Sequence, residues 1–204
     1  GRFFLGLDRL LKKVEPRFPK GTRRRAVDAA VAFIGERLNG DDGLGGIFPA
    51  IANTVMAFDA LGYAPDHPQL AIAKAAIRKL LVIDCDTAYC QPCLSPVWDT
   101  GLALHALMEA GVPGDDPAVK RALRWLAERQ VTEVAGEWAA QRPGLRSGGW
   151  AFQYRNDYYP DVDDTAVVAM AFDRAARGGF PAVLNPAVDW IVGMQSENGG
   201  WGAF

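Results

Sequence analysis

Thiols and imidazoles are scarce in this chain. Three cysteines (Cys85, Cys90, Cys93) and two histidines (His67, His105) are all that 204 residues supply. Three thiols do not make a disulfide framework, and they fit a reducing compartment. Their C-x4-C-x2-C spacing follows part of an iron–sulfur ligand set, but such a cluster wants a fourth thiolate and the chain has none. No metal and no cofactor is therefore expected, and the cysteines read as buried small hydrophobes. Charge of one sign is lacking too: the formal net charge is −2, which argues against a nucleic-acid partner. There is no run of 18 apolar residues, so no segment reads as a membrane span. What the chain does have is a half-hydrophobic composition with 23% charged residues, enough for a sizeable core.

It also has an internal repeat. Ala52-Asn53-Thr54-Val55-Met56-Ala57-Phe58, Trp98-Asp99-Thr100-Gly101-Leu102-Ala103-Leu104 and Asp163-Asp164-Thr165-Ala166-Val167-Val168-Ala169 each run Asn or Asp, then Thr, then an apolar helix. A loop rich in Gly and Pro precedes each, and a more amphipathic helix precedes each loop, at about residues 23–38, 67–82 and 115–130. Such tandem units predict an all-α fold of helical hairpins, stacked as a solenoid or closed into an α/α barrel. The Asx-Thr pair is expected to hold each inner helix start by side-chain hydrogen bonds. A fourth outer helix, about 187–194, leads to the chain's last residues, so about three and a half hairpins are expected, as part of a longer barrel domain.

The position before the Asx-Thr pair does not repeat. It is Ala52, then Trp98, then Asp163. Asp163 also belongs to Asp161-Val162-Asp163-Asp164, three carboxylates in four positions. Clustered acids repel as anions, so at least one tends to keep its proton at neutral pH, and a held proton is what general acid catalysis requires. Aspartates also favour helix N-termini as caps and as partners of the macrodipole, which is the plain structural reading.

Three outer helices end in related turns. The best copy is Trp190-Ile191 with Gln195, Gly199 and Trp201; the next is Trp125-Leu126 with Gln130, Gly136 and Trp138; the weakest is Phe33-Ile34 with Asn39 and Gly43, where Gly45 stands in place of Trp. Gln capping open backbone groups, Gly turning left-handed and Trp covering the turn would make a clasp. At the other end of the chain Phe3, Phe4, Leu7, Leu10, Leu11 and Val14 fall at helical spacing, with Arg9, Lys12 and Lys13 elsewhere. Residues 1–20 thus read as a basic amphipathic helix for a membrane interface or for packing on another domain. Arg23-Arg24-Arg25 could meet anionic headgroups or be a solvated helix start.

These motifs together resemble the squalene–hopene cyclases, class II triterpene cyclases. Asp161-Val162-Asp163-Asp164-Thr165-Ala166 is similar to the family's acid motif, and the Gln…Gly…Trp turns to its QW repeats. Gln91-Pro92-Cys93-Leu94-Ser95-Pro96-Val97-Trp98-Asp99-Thr100, Gly148-Gly149-Trp150-Ala151-Phe152-Gln153 and Gly200-Trp201-Gly202-Ala203-Phe204 carry the rest. The resemblance implies cofactor-free cyclisation of squalene to hopene-type pentacyclic triterpenes, begun by protonation of a terminal double bond. It implies Asp163 as proton donor, Asp161 and Asp164 as its anionic neighbours, and a His partner that neither His67 nor His105 matches. It implies Trp98, Phe152 and Phe204 as substrate-lining aromatics. It further implies squalene, a membrane surface and a second copy in a homodimer as partners, with the protein peripheral or monotopic on the cytoplasmic face of the cell membrane. The competing readings are a class II diterpene cyclase acting on a prenyl diphosphate, for which no convincing phosphate site is seen, and a non-catalytic α/α repeat module that binds lipid or protein.

Overall fold

Proline places most of the helix starts. The computed structural model describes residues 2–17 and 19–204, which pack as two compact units, 1–36 and 37–204. The first holds α1 (Arg2–Val14), a 3-10 turn (Glu15–Arg17) and most of α2 (Lys20–Arg37). The second runs α3 (Phe48–Ala60), α4 (Pro68–Leu80), strands β1 (Leu81–Asp84) and β2 (Thr87–Cys90), α5 (Pro96–Glu109), α6 (Pro117–Ala127), a 3-10 turn (Glu137–Ala140), α7 (Val162–Ala175) and α8 (Pro181–Gly193). Pro49, Pro68, Pro96, Pro117 and Pro181 sit at the first or second helical position of α3, α4, α5, α6 and α8. There the missing N–H costs nothing and the fixed φ suits the helix.

The mostly helical architecture of repeated hairpins follows the sequence expectation, with α3 packed on α4, α7 on α8 and α5 side by side with α7. Four details differ. The Asx-Thr pair does not open the inner helices: α3, α5 and α7 begin two to five residues before Asn53, Asp99 and Asp164. The pair lies within the first two turns, and each Thr hydroxyl donates to the carbonyl four residues back: Thr54 to Ala50 (2.8 Å), Thr100 to Pro96 (2.6 Å), Thr165 to Asp161 (2.5 Å). The last outer helix is a full Pro181–Gly193 with Pro186 inside it, longer than the expected 187–194. A two-stranded antiparallel hairpin, pairing Leu81 with Cys90 and Asp84 with Thr87, stands between α4 and α5 where no strand was expected. It carries two of the cysteines, so Cys85 and Cys90 are exposed and Cys93 half-buried, not the core hydrophobes that their type suggests.

The main core lies among α5, α6 and α7. Val97, Leu104, Val119, Leu123, Leu126, Val168 and Phe172 are buried there, with Trp150 stacked on Phe172 at 6.1 Å between ring centres. The close approach of α5 and α7 depends on Gly101: a β-carbon there would lie 3.0 Å from Val167 Cγ1. In the first unit α1 is amphipathic as expected, and its apolar side chains Phe3, Phe4, Leu7, Leu10 and Leu11 are exposed.

Candidate active site

The site is assembled by the clasps. In the last clasp, Gln195 Nε2 donates to Gly199 O (2.8 Å), Ser196 N to Gly200 O (2.8 Å) and Trp201 Nε1 to Ile191 O (2.7 Å). Gly199 takes the left-handed φ of +85° that the turn needs. The same three bonds recur after α6: Gln130 Nε2 to Gly148 O (2.7 Å), Val131 N to Gly149 O (2.9 Å) and Trp150 Nε1 to Leu126 O (2.7 Å). The partner of Gln130 is therefore Gly148 and Trp150, not the nearer Gly136 and Trp138. Residues 132–147 bulge out of the turn, and Trp138 packs edge-on against Trp190 at 6.1 Å. Around Asn39 the turn closes by a backbone pair with Gly43 and has no Trp, as expected of the weakest copy.

Beyond each clasp the chain crosses the start of an inner helix. Phe152 O accepts from Val97 N at the start of α5 (3.4 Å), and Ala203 O accepts from Val162 N at the start of α7 (2.9 Å). The two starts are tied through Trp150, whose carbonyl accepts from Asp161 N (3.0 Å) and whose N–H donates to Thr165 Oγ1 (2.9 Å). The candidates from sequence thus meet at one rim. Trp98 follows Val97, Phe152 crosses beside it, Asp163 follows Val162, and Phe204 follows Ala203 with its ring edge-on to Tyr159 at 6.4 Å. Trp98 and Phe152 are half-buried and Phe204 is exposed. Tyr159 is an aromatic at this rim that sequence reasoning missed, and no local motif marked it.

The three acids take three different environments. Asp161 is the N-cap of α7, its Oδ1 accepting from Asp164 N at 2.7 Å. Asp161 and Asp164 are both buried, whereas Asp163 is exposed. Burial pushes the Asp164 carboxyl up to about 9, helped by a side-chain hydrogen bond to Asp161 and by the charges of Asp161 and Asp163. Burial also raises Asp161, against the hydrogen bonds it accepts from Asp164. Burial thus favours the neutral form of Asp164 and opposes the charge of Asp161. The resemblance implies an anionic Asp164, and burial in this chain acts against that charge. Asp164 Oδ1 is buried without a partner. Asp163 and Met170 are exposed seven residues apart on α7, and Leu102 on α5 and Met56 on α3 are exposed apolar side chains.

The raised Asp164 makes a pH prediction. Between its ordinary range near 4 and about 9, the folded chain holds a proton that the unfolded chain has released. Stability then falls as pH rises through that window, and Asp161 and Asp42, also raised by burial, act in the same direction. Asp164→Asn, whose amide can still donate to Asp161, should remove one proton's worth of this slope. Denaturation midpoints of parent and variant at pH 5 and pH 8 check it; parallel pH profiles would contradict it.

Two family patterns match. The squalene-hopene cyclase N-terminal domain matches residues 1–86, and the squalene-hopene cyclase C-terminal domain matches residues 94–204, which include the acids and both Trp clasps. The chain belongs to the squalene-hopene cyclase family. Among its relatives, the squalene–hopene cyclase of Zymomonas mobilis is 56% identical over 214 residues, covering all of this chain and 32% of that protein. That of Bradyrhizobium diazoefficiens is 54% identical, covering 98% of this chain and 31% of its own. That of Alicyclobacillus acidocaldarius is 41% identical, covering all of this chain and 33% of its own. The chain spans about a third of the length of the curated cyclases it matches. Among the described residues, no helix is long and apolar enough to cross a membrane.

Proposed function

We propose that this chain is the acid-bearing part of an enzyme that cyclises squalene to hopene-type pentacyclic triterpenes. The observation that carries the reading is the division of labour at the start of α7: Asp163 alone of the three acids is exposed, backed by the buried pair Asp161 and Asp164. Asp163 is the acid open to a substrate, seven residues before the exposed Met170 on the same face of α7. In the reaction the Asp163 carboxyl O–H adds its proton to the CH carbon of squalene's terminal alkene, leaving the Asp163 carboxylate and a tertiary carbocation. An alkene is a very weak base, so the step needs a strong acid in a dry site. The cation then adds to successive double bonds, and aromatic faces stabilise it without offering a nucleophile. Trp98, Phe152 and Phe204 are the aromatics proposed for this, with Tyr159 beside Phe204.

The full-length protein, incubated in detergent with squalene or with a prenyl diphosphate, tests this by chromatography of the products. Cyclic triterpenes from squalene support the reading. Cyclic products from the diphosphate alone would reassign the substrate class, and a well-folded protein inert to both would leave a lipid- or protein-binding module.

Squalene is held in membrane, so its enzyme has to work at a bilayer surface. The exposed apolar face of α1, with Lys12 and Lys13 in its last turn, is proposed to lie in that interface, as a peripheral or monotopic contact on the cytoplasmic side. Replacing Phe4, Leu7 and Leu11 together by Ser should weaken binding to vesicles containing anionic lipid by at least about tenfold with helix content unchanged. Unaltered vesicle binding would assign that face to packing on another domain or to a homodimer.

A further inference from the structure

The connection from Trp150 to Asp161 has no helix or strand of its own, and its two ends pair with each other. Its middle is held by a different repeat. Asp42 Oδ2 accepts from Arg155 N (2.5 Å), and Asn39 Nδ2 donates to Arg155 O (3.1 Å), so both backbone groups of residue 155 are gripped by one turn. That turn is itself braced. Asn39 Oδ1 accepts from Asp41 N (3.0 Å) and Asp42 N (2.8 Å), and Lys79 Nζ from α4 donates to Gly40 O (2.7 Å) and Asp41 O (2.9 Å). Next to it Gly46, at φ +63°, comes so near Gln153 that a β-carbon would lie 2.5 Å from Gln153 Cγ. Gln153 is buried and accepts from Asn156 Nδ2 (3.0 Å).

Asp42 is only 4% exposed and its Oδ1 has no partner. Burying a carboxyl is unfavourable unless its contacts compensate, and the contact here is with the backbone of one loop. That loop sets two parts of the rim: Phe152, whose carbonyl meets α5, and Asp161, whose cap starts α7. Displacing reacting groups by about 1 Å can cost on the order of 100-fold in rate.

We propose that Asp42 is a positioning residue for the acid site, fixing Phe152 and the Asp161 cap by holding Arg155. The proposal rests on the cyclase reading above for its kinetic consequence, but not for its structural one. In the full-length protein, Asp42→Ala should lower kcat for squalene roughly 10- to 100-fold with KM within about twofold, and raise the share of incompletely cyclised products. Asp42→Asn keeps an acceptor for Arg155 N and should restore both to near the parent. Lys79→Met, which removes only the exposed brace, should shift products the same way more weakly. In the same proteins, hydrogen exchange over residues 150–157 should quicken in Asp42→Ala and not in Asp42→Asn. Unchanged exchange in Asp42→Ala would overturn the proposal whatever the substrate, and so would a product ratio and kcat per folded molecule equal to the parent's. If the parent itself makes no cyclic triterpene, the cyclase reading fails while the exchange result still decides the role of Asp42.

Discussion

Asp163→Asn is expected to lower squalene turnover by about 1000-fold while leaving the protein folded. Removing a general acid typically forfeits a factor of this order, and no neighbouring group can substitute easily. The Asp164 carboxyl, pushed up to about 9 by burial, lies buried against Asp161, so it is poorly placed to reach an alkene. The structural cost of the change is small. Asp163 is exposed in the first turn of α7 and caps nothing, so only the favourable placing of a negative charge near the helix N-terminus is lost, worth less than about 1 kcal/mol. Turnover measured beside a denaturation curve separates the two effects. A variant that folds normally and still cyclises squalene at more than a tenth of the parent rate would show that the proton comes from elsewhere, with Asp164 the next acid to test.

Trp150→Ala should be the most destabilising single change at the rim. Trp150 is completely buried, stacks on Phe172, donates Nε1 to Leu126 O, donates its N–H to Thr165 and accepts from Asp161 N. The backbone bonds survive the substitution, but the ring and its hydrogen bond do not. Truncating a buried Trp costs roughly 3–5 kcal/mol, and stranding the Leu126 carbonyl adds about 1 kcal/mol or more. That is a large share of the 5–15 kcal/mol typical of a folded domain. Trp150→Phe should keep the stacking and lose only the Nε1 bond, for about 1–3 kcal/mol. Urea midpoints for both variants check this. An alanine variant less than about 2 kcal/mol below the parent would mean that this clasp is not what joins α5 to α7.

Much of the fold could be read from the chain because a repeat exposes its own logic. Thr54, Thr100 and Thr165 recur at matched places and make matched bonds, so comparing the repeats isolated Asp163 as the residue that differs. What escaped was decided by interactions distant in sequence. Gln130 closes on Gly148, 18 residues away, although Gly136 and Trp138 lie nearer and look right. Local spacing holds no record of which turn the hydrogen bonds choose. Five prolines mark helix starts in the sequence, whereas the Asx-Thr pairs fall within the first two turns. Leu81-Val82-Ile83 facing Thr87-Ala88-Tyr89 across a short turn was a strand signal, obscured by the helical repeat on either side.

The acid site shows the same boundary. That one proton is held among three crowded carboxylates follows from charge alone. Which carboxyls burial pushes up depends on the Trp150 ladder laid across the start of α7. Composition could not separate Asp163 from Asp164, whereas exposure does: one faces outward and the other lies against Asp161. The Asp42 grip on Arg155 was hidden for a similar reason, since its partners lie 113 residues apart.

The measurement that bears most directly on acid-initiated cyclisation is the mass of the product formed from squalene in heavy water. The full-length protein, equilibrated in D2O, should convert unlabelled squalene to cyclic triterpene carrying one deuterium, at the ring carbon that was the CH of the terminal alkene. Asp163→Asn should give neither product nor label. Cyclic product that carries no deuterium would contradict protonation by an exchangeable side-chain acid, and with it the role proposed for Asp163.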